Sequence, residues 1–342
     1  MADTAVHDVP RLSILDFTHI YRGSTPTEAL KNSTEVVKQA DQQGYTRYWF
    51  TEHHNTKDQI TTSPDLLIAR AAEHSQRMRV GSGGIMLPNY SSLKVAENFT
   101  VLEALYPGRV DLGLGRSSGT NGVTALALHR SQEVMATNSF PDQLAELLGF
   151  LSRDFPTEHP YATIKLPGDA SLMPEIFLLG SSFGAVALAS QKGLGYAFAA
   201  HLSPELAVPV LRSYRANFVP SQHLRKPHSI LSIPVITAES QEEAAFLAGP
   251  MELLWAKLVT GSPDLSLVSP EEAAAHDYTP SERSAIAANK PRFIIGDIKT
   301  VSHTLRNLAG AALADEIMIV DFHAAQEGRL RAYELLAQEF LL

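Results

Sequence analysis

The chain has no cysteine among its 342 residues. That excludes disulfides, thiolate metal centres and a cysteine nucleophile, and it fits a reducing, cytoplasmic setting. Long apolar runs are also missing. No stretch of 18 or more apolar residues occurs, so no membrane-spanning helix is expected. The opening residues, MADTAVHDVPR, contain no apolar core that would serve as a secretory leader. Positive charge is in deficit: 28 lysines and arginines face 37 aspartates and glutamates, a formal net charge of −9. Nucleic acids and anionic membranes need a positive footprint, so neither is an expected partner. There is no H-E-x-x-H segment and no Gly-Lys-Ser/Thr tail of a P-loop, so a zinc site and a P-loop are not expected, and no metal is assigned.

What is present is one repeated rhythm. Strand-length apolar runs alternate with helix-length amphipathic runs. The strand candidates are residues 12–17, 45–50, 78–87, 109–115, 175–180, 196–201, 229–237 and 316–322. Near-continuous apolar runs such as IFLLG and EIMIV read as strands buried on both faces, as in a parallel sheet. Helix starts are marked by Thr25-Pro26-Thr27-Glu28, Ser63-Pro64, Ser139-Phe140-Pro141, Ser203-Pro204 and Ser240-Gln241-Glu242-Glu243, each offering a side-chain oxygen to orphan N–H groups. Gly44 ends the first helix. Eight strands alternating with helices predict a TIM (β/α)8 barrel spanning residues 1–342 as one domain, with a doubly wound open sheet as the runner-up. A short polar tail is expected over 1–10. Long connections at 121–140 and 261–290 are expected to be rim insertions covering a site.

In such a barrel chemistry sits at the C-terminal strand ends. The second strand discharges into Glu52, His53, His54 and Asn55. Successive residues face opposite ways, so one imidazole is expected to face the site as a general base. A pair of hydrogen-bonded structural imidazoles is the other reading. Gly83 and Gly84 in VGSGGIML fit either a flat ring against the backbone or a β-bulge. The segment Gly180-Ser181-Ser182-Phe183-Gly184, between a strand and a helix, fits either a phosphate cradle or an ordinary turn. Arg116, ending the neighbouring strand, can reach an anion held there or make a rim salt bridge. Phe17, His19, Met86, Tyr90 and His201 complete a mixed apolar and polar rim.

The stretches YWFTEHHN, VGSGGIMLPNYSSLKVAENFTVLEALYPGRVDLGLGR, FLLGSSFGAVALASQKGLGYAFA and DEIMIVDFHAAQEGRLRAYELLAQEF span nearly the whole chain in order. Together they resemble the bacterial luciferase-like flavin-dependent monooxygenase family, especially its single-chain members. The resemblance implies a TIM barrel and FMN in reduced form, supplied by a separate flavin reductase. It implies that O2 adds to the reduced flavin, giving a peroxyflavin that oxidises a small organic substrate. It assigns catalysis to the EHH segment, His53 with Glu52, and a non-proline cis peptide under the flavin ring to Gly83–Gly84. Arg116, Ser181, Ser182 and Gly184 are implied to hold the phosphate, and a homodimer is implied through the helices near the second and third strands. Alternatives within the resemblance are a deazaflavin (F420)-dependent hydride-transfer enzyme and a non-catalytic flavin-binding protein. The chain departs from the pattern at Gly115, a cysteine in the light-emitting chains, and in its LDFTH and RSSG segments, so luminescence is not expected and the substrate pocket is expected to differ.

Overall fold

The structure, a computed structural model, describes residues 10–129, 139–262 and 264–342. Most of the expected tail 1–10 and the centre of the 121–140 connection lie outside the described residues. Eight strands close into a parallel barrel: β1 (Arg11–Asp16), β2 (Arg47–Phe50), β3 (Arg79–Met86), β4 (Val110–Gly115), β5 (Glu175–Gly180), β6 (Gly195–Ala199), β7 (Ser229–Ala238) and β9 (Glu316–Val320). β6 pairs with β7, β7 with β9, and β9 with β1, which completes the ring and removes the open-sheet alternative. All eight expected strands are present, with ends shifted by up to two residues. A ninth strand was not anticipated. β8 (Ile294–Asp297) pairs with the upper half of the ten-residue β7, beyond the stretch that β7 shares with β9. Four residues ending in Gly-Asp are too short to announce a strand by periodicity.

The helices form the outer layer: α1 (Pro26–Gln43), α2 (Pro64–Glu73), α3 (Ser92–Leu105), α4 (Gly122–His129), α5 (Phe140–Ser152), α6 (Phe183–Lys192), α7 (Ala207–Ala216), α8 (Gln241–Thr260), α9 (Pro270–Ala274), α10 (Pro280–Asn289), α11 (Ile298–Ala312) and α12 (Gln326–Phe340). Thr25 and Glu28 make the expected capping box, and Ser240 caps the N–H of Glu243. Ser63, Ser139 and Ser203 make no such bond. Each of these starts has a proline in its first turn that pre-sets the helical φ, as Pro26 does after the capping Thr25. The 261–290 connection carries α9 and α10, each opened by its own capping box, at Ser269 and Thr279.

Alternation divides the strands between two cores. Ile14, Tyr48, Val80, Leu112, Ile176 and Tyr196 pack outward under the helices. Leu15, Trp49, Phe177, Ala197, Ile230 and Met318 fill the barrel. At its N-terminal end the barrel is plugged by charge. Arg47, 2 % exposed, pairs with Asp111 at 2.8 Å, Glu175 at 3.1 Å and Glu316 at 3.1 Å, while Ser13 and His228 also bond Glu316. Removing one partner of a buried ion cluster costs about 3–5 kcal/mol; here the loss falls chiefly on Glu316, since Arg79 also pairs with Asp111 at 2.7 Å and Glu175 at 3.3 Å. Arg47→Met should therefore lower unfolding free energy by about that amount. Urea denaturation reads this directly, and a loss under about 1 kcal/mol would show that the cluster is not a structural plug.

Candidate active site

The inner parity that starts at Ser13, Arg47 and Ala197 continues past the strand ends to His19, His53 and His201. His53 and His19 both stack on Phe17, at ring-centroid distances of 5.3 and 5.6 Å, and Phe322 tilts against Phe17 and His19. The Thr51 hydroxyl donates to Thr61 at 3.3 Å, which leaves it to accept from Nδ1–H of His53 at 3.2 Å. That arrangement assigns the proton of the neutral ring to Nδ1 and leaves Nε2 as the basic lone pair. Burial holds His53 down to about 4, with His54 adding to the shift. His19 is also lowered to about 4 by burial, against the opposing pull of Asp321 and Asp16. Burial and the nearby Arg292 lower His201 to about 4. All three imidazoles are therefore neutral at pH 7.

The other two members of the motif take the opposite parity. Glu52 is fully buried. Its carboxylate accepts from His54 Nε2 at 2.8 Å, Met86 N–H at 3.0 Å and Asn89 Nδ2 at 3.1 Å, and it also bonds the Tyr90 hydroxyl. Asn89 donates onward to the Ser118 carbonyl, and Thr120 donates to the carbonyl of His54. Glu52 thus ties the ends of β2 and β3 to the loop that follows β4, which begins at Arg116. Met86 lies where a side chain at Gly115 would go, 2.6 Å from an added Cβ.

Gly83 and Gly84 are joined by a cis peptide, and the pairing of β3 with β4 shifts register there. A Cβ on Gly83 would lie 2.4 Å from Leu15 Cδ1, and one on Gly84 would lie 2.6 Å from the Gly113 carbonyl oxygen. Close packing of this chain against itself therefore already demands glycine at Gly84, where the obstacle is backbone, while a side chain at Gly83 would have to displace the end of Leu15.

Across the mouth, β5 ends at Gly180 and α6 begins at Phe183. Ser182 occupies the N-cap with extended backbone but makes no side-chain cap bond, so the first N–H groups of α6 have no such partner. The guanidinium of Arg116 rests against this start: a Cβ on Gly184 would lie 3.2 Å from Nη1. Arg116 is exposed and has no carboxylate within salt-bridge distance among the described residues. The rim salt bridge is therefore not what occupies it. The charge and the uncapped amides suit a phosphate dianion, and Ser181 and Ser182 lie between them in sequence.

The 261–290 insertion is strapped over the mouth from both sides. Arg22, following β1, bonds Asp264 at 2.7 Å, Ser266 at 2.9 Å and, through its backbone N–H, the Leu267 carbonyl at 3.1 Å. Arg292 donates to the carbonyls of His201 and Leu202 at 2.6 and 2.7 Å. Neither arginine carries a sequence signal, whereas Thr51 could have been found from its parity with His53. A cleft of about 570 Å³ lies elsewhere, in the helix layer, lined by Asp142, Glu146, Phe155, His159, Lys192 and His223. It touches none of the strand-end groups above.

The chain belongs to the luciferase-like monooxygenase family, whose model matches residues 11–312, and is thereby a flavin-dependent monooxygenase. A luciferase-like monooxygenase of Escherichia coli (strain K12) is 36% identical over 94% of this chain and 95% of its own. The N-acetyl-S-alkylcysteine monooxygenase of Bacillus subtilis is 32% identical, covering 97% of this chain and 98% of its own. The crystal structure of apo-MsnO8 superposes with a TM-score of 0.88 at 33% identity, covering 98% of this chain and 99% of that one. More distant structures share the fold. One is the oxygenating constituent of 3,6-diketocamphane monooxygenase from Pseudomonas putida in complex with FMN, with TM-score 0.70, 18% identity and coverage of 97% and 98%. Another is the F420-dependent tetrahydromethanopterin reductase of Methanopyrus kandleri, with TM-score 0.66, 16% identity and coverage of 97% and 98%. No helix among the described residues is long and apolar enough to cross a membrane.

The neutral imidazoles set a pH dependence of stability. Unfolded histidine ionises near 6.5, and these three fold to about 4. Between those values the unfolded state binds more protons. Stability is therefore complete above about 6.5 and declines as pH falls toward 4. Urea unfolding at about pH 7.5 and about pH 5 should show the loss, and His19→Gln should reduce it, by up to about 1.4 kcal/mol per unit of pH. An unchanged difference between the two pH values in that variant would show that His19 is not held neutral.

Proposed function

We propose that the chain is an FMN-dependent monooxygenase that takes its flavin in reduced form from a separate reductase and oxidises a small organic molecule with O2. The observation that carries this reading is the unpaired Arg116 against the uncapped start of α6, since a terminal phosphate is what FMN has and riboflavin lacks. Reduced flavin, when bound, supplies the electrons that activate O2. The chain supplies the rest. Arg116, the amides following Ser182 and the hydroxyls of Ser181 and Ser182 hold the phosphate, with Gly184 leaving room for the guanidinium. Gly83 and Gly84 form the narrow backbone floor beside β4. His53 Nε2 accepts a proton at the reacting edge, oriented by Thr51 and Thr61. Glu52 acts as a positioning residue, fixing the strand ends and the loop that carries Arg116. The insertion strapped by Arg22 and Arg292 excludes water.

A carboxylate or phosphate bonded by charged donors gains about 1.5–3 kcal/mol per hydrogen bond. Arg116→Ala should therefore weaken FMN binding roughly tenfold to a hundredfold while leaving riboflavin nearly unchanged. Fluorescence titration with both flavins separates the cases, and equal weakening would place Arg116 elsewhere. His53→Ala should retain FMN affinity and lose turnover by about a hundredfold or more. O2 consumption on adding reduced FMN distinguishes this reading from a deazaflavin-dependent hydride-transfer enzyme or a non-catalytic flavin carrier.

A homodimer through α2 and α3 is part of the proposal. Leu66 is 69 % exposed, Val101 55 % and Leu105 60 %, large apolar surfaces on adjacent helices. Sedimentation velocity should show a dimer that Leu105→Lys weakens; a monomer in the unaltered protein would remove this element.

A further inference from the structure

The wall that faces His53 is built from two Asp-Phe pairs. β1 runs out in Leu15-Asp16-Phe17-Thr18-His19, and β9 in Val320-Asp321-Phe322-His323. These strands are neighbours, and β2, which leads to His53, flanks β1 on its other side. Inside the barrel the rings of Phe17 and Phe322 meet at 5.0 Å, and Phe17 stacks on His53 at 5.3 Å and 18°. Stacked rings hold an imidazole in one plane only while the strand ends that carry them are themselves fixed.

Alternation turns both aspartates outward, and there they meet one cation. Arg329, near the start of α12, is buried. Its Nε donates to Asp321 Oδ2, and its Nη2 lies 3.0 Å from Asp16 Oδ1. The same Nη2 donates at 3.3 Å to the hydroxyl of Tyr48, which donates at 2.6 Å to Asp16 Oδ2. Tyr48 belongs to β2, so one guanidinium ties together the three adjacent strands whose inner ends carry Phe322, Phe17 and His53. Ser33 of α1 adds a bond to Asp16 Oδ2 at 2.5 Å. Each carboxylate then takes the N–H two residues further along its own strand end. Asp16 accepts from Thr18 at 2.6 Å and Asp321 from His323 at 3.2 Å. Each phenylalanine is thereby bracketed between an aspartate and the backbone it holds. At Thr18 the clamp retains a β-branched residue at φ 44°, a conformation that such residues rarely adopt. Asp16 and Asp321 are both buried and have this guanidinium in common. A lysine there keeps the charge, but a single ammonium has no planar fork with which to bridge two carboxylates.

We propose that Arg329 is a positioning residue for the reacting edge: by joining Asp16 and Asp321 from outside the barrel it fixes Phe17 and Phe322, and through Phe17 the ring plane of His53. The proposal rests on the proton-accepting role given to His53 and extends that role to a side chain supplied by the C-terminal helix.

Nitrogen-15-labelled histidine in the full chain, without flavin, reads this directly, with the His53 signals assigned by their loss in His53→Gln. The unaltered chain should show one sharp pair of His53 ring signals, protonated at Nδ1. Arg329→Lys should move or broaden that pair, and Phe17→Leu should do the same. Leu305→Ala, which opens a cavity in the outer core on α11, controls for lost stability and should leave the pair in place. A second readout is the rate at which reduced FMN held by the chain is reoxidised by O2. His53→Ala should change that rate, and Arg329→Lys should change it in the same direction by about threefold or more, with FMN affinity within about twofold of the unaltered chain. Should Arg329→Lys fail to fold, Asp321→Asn poses the same question with the guanidinium in place and should also move the His53 pair. His53 signals in a folded variant of the clamp that coincide with those of the unaltered chain, or that move equally in Leu305→Ala, would overturn the proposal. Absence of FMN binding by the unaltered chain would instead overturn the flavin reading, and the flavin-free spectra keep the two outcomes apart.

Discussion

One buried guanidinium fixes the frame on which everything above it is built. Arg47 stands on β2, yet its partners come from β4, β5 and β9, none of which is a neighbour of β2 in the sheet. Those bonds cross the interior, and they exist only if the sheet has closed. The cluster also couples to the next layer, because the indole N–H of Trp49 donates to the same Asp111 oxygen that Arg47 holds, at 2.8 Å. A charge buried at this depth has few arrangements that satisfy it, so the register of four strands is set together. Hydrophobic filling alone would tolerate sliding; a guanidinium with three carboxylates does not.

From that floor the two-residue period of the strands carries the pattern upward. Arg47, Trp49, Thr51 and His53 share a face, as do Ser13, Leu15, Phe17 and His19. Two adjacent histidines of one motif are thereby sent to different work. His53 enters the aromatic stack of the interior, while His54 joins Glu52 under the helices. A one-residue slip of β2 would exchange them, placing Glu52 in the mouth and leaving Arg47 without its carboxylates. The plug at the bottom and the imidazole at the top are consequences of one register.

This also explains which features the sequence revealed. The eight barrel strands were legible because each is a buried run of ordinary length between turn residues. β8 was not, because it extends β7 rather than closing the ring and its four residues show no period. Thr25 and Ser240 behaved as caps, but Ser63, Ser139 and Ser203 did not, and a nearby proline does not separate the two groups, since Pro26 follows the capping Thr25. At the site, the expectation that one histidine of the pair faces inward followed from alternation and needed no tertiary information. The four-way engagement of Glu52 did not follow, because its partners Met86 and Asn89 come from another strand end. The glycines illustrate a further limit. Gly83 was read as room for a ring or as a bulge, and the structure shows a register shift together with a Leu15 methyl already filling the space a side chain would need.

The mouth is electrostatically divided, and the division follows from which strands are neighbours. Arg116 and the start of α6 adjoin because β4 and β5 are paired, so one positive pole forms on that side with solvent access to support it. The imidazoles come from β1, β2 and β6, where Arg329 is paired with Asp16 and Asp321 beside His19, and Arg292 beside His201 donates to the His201 and Leu202 carbonyls. An imidazole beside a free guanidinium would also stay neutral, but any anion drawn to that guanidinium would favour its protonation and remove the basic lone pair. With Arg116 just after β4 and the imidazoles on other strands, the proposed phosphate cradle and the proposed proton acceptor, Nε2 of His53, would come from different parts of the barrel. In a chain with net charge −9, Arg116, exposed and without a carboxylate partner among the described residues, is a local inversion of sign. Its placement is a property of strand order, not of the overall composition.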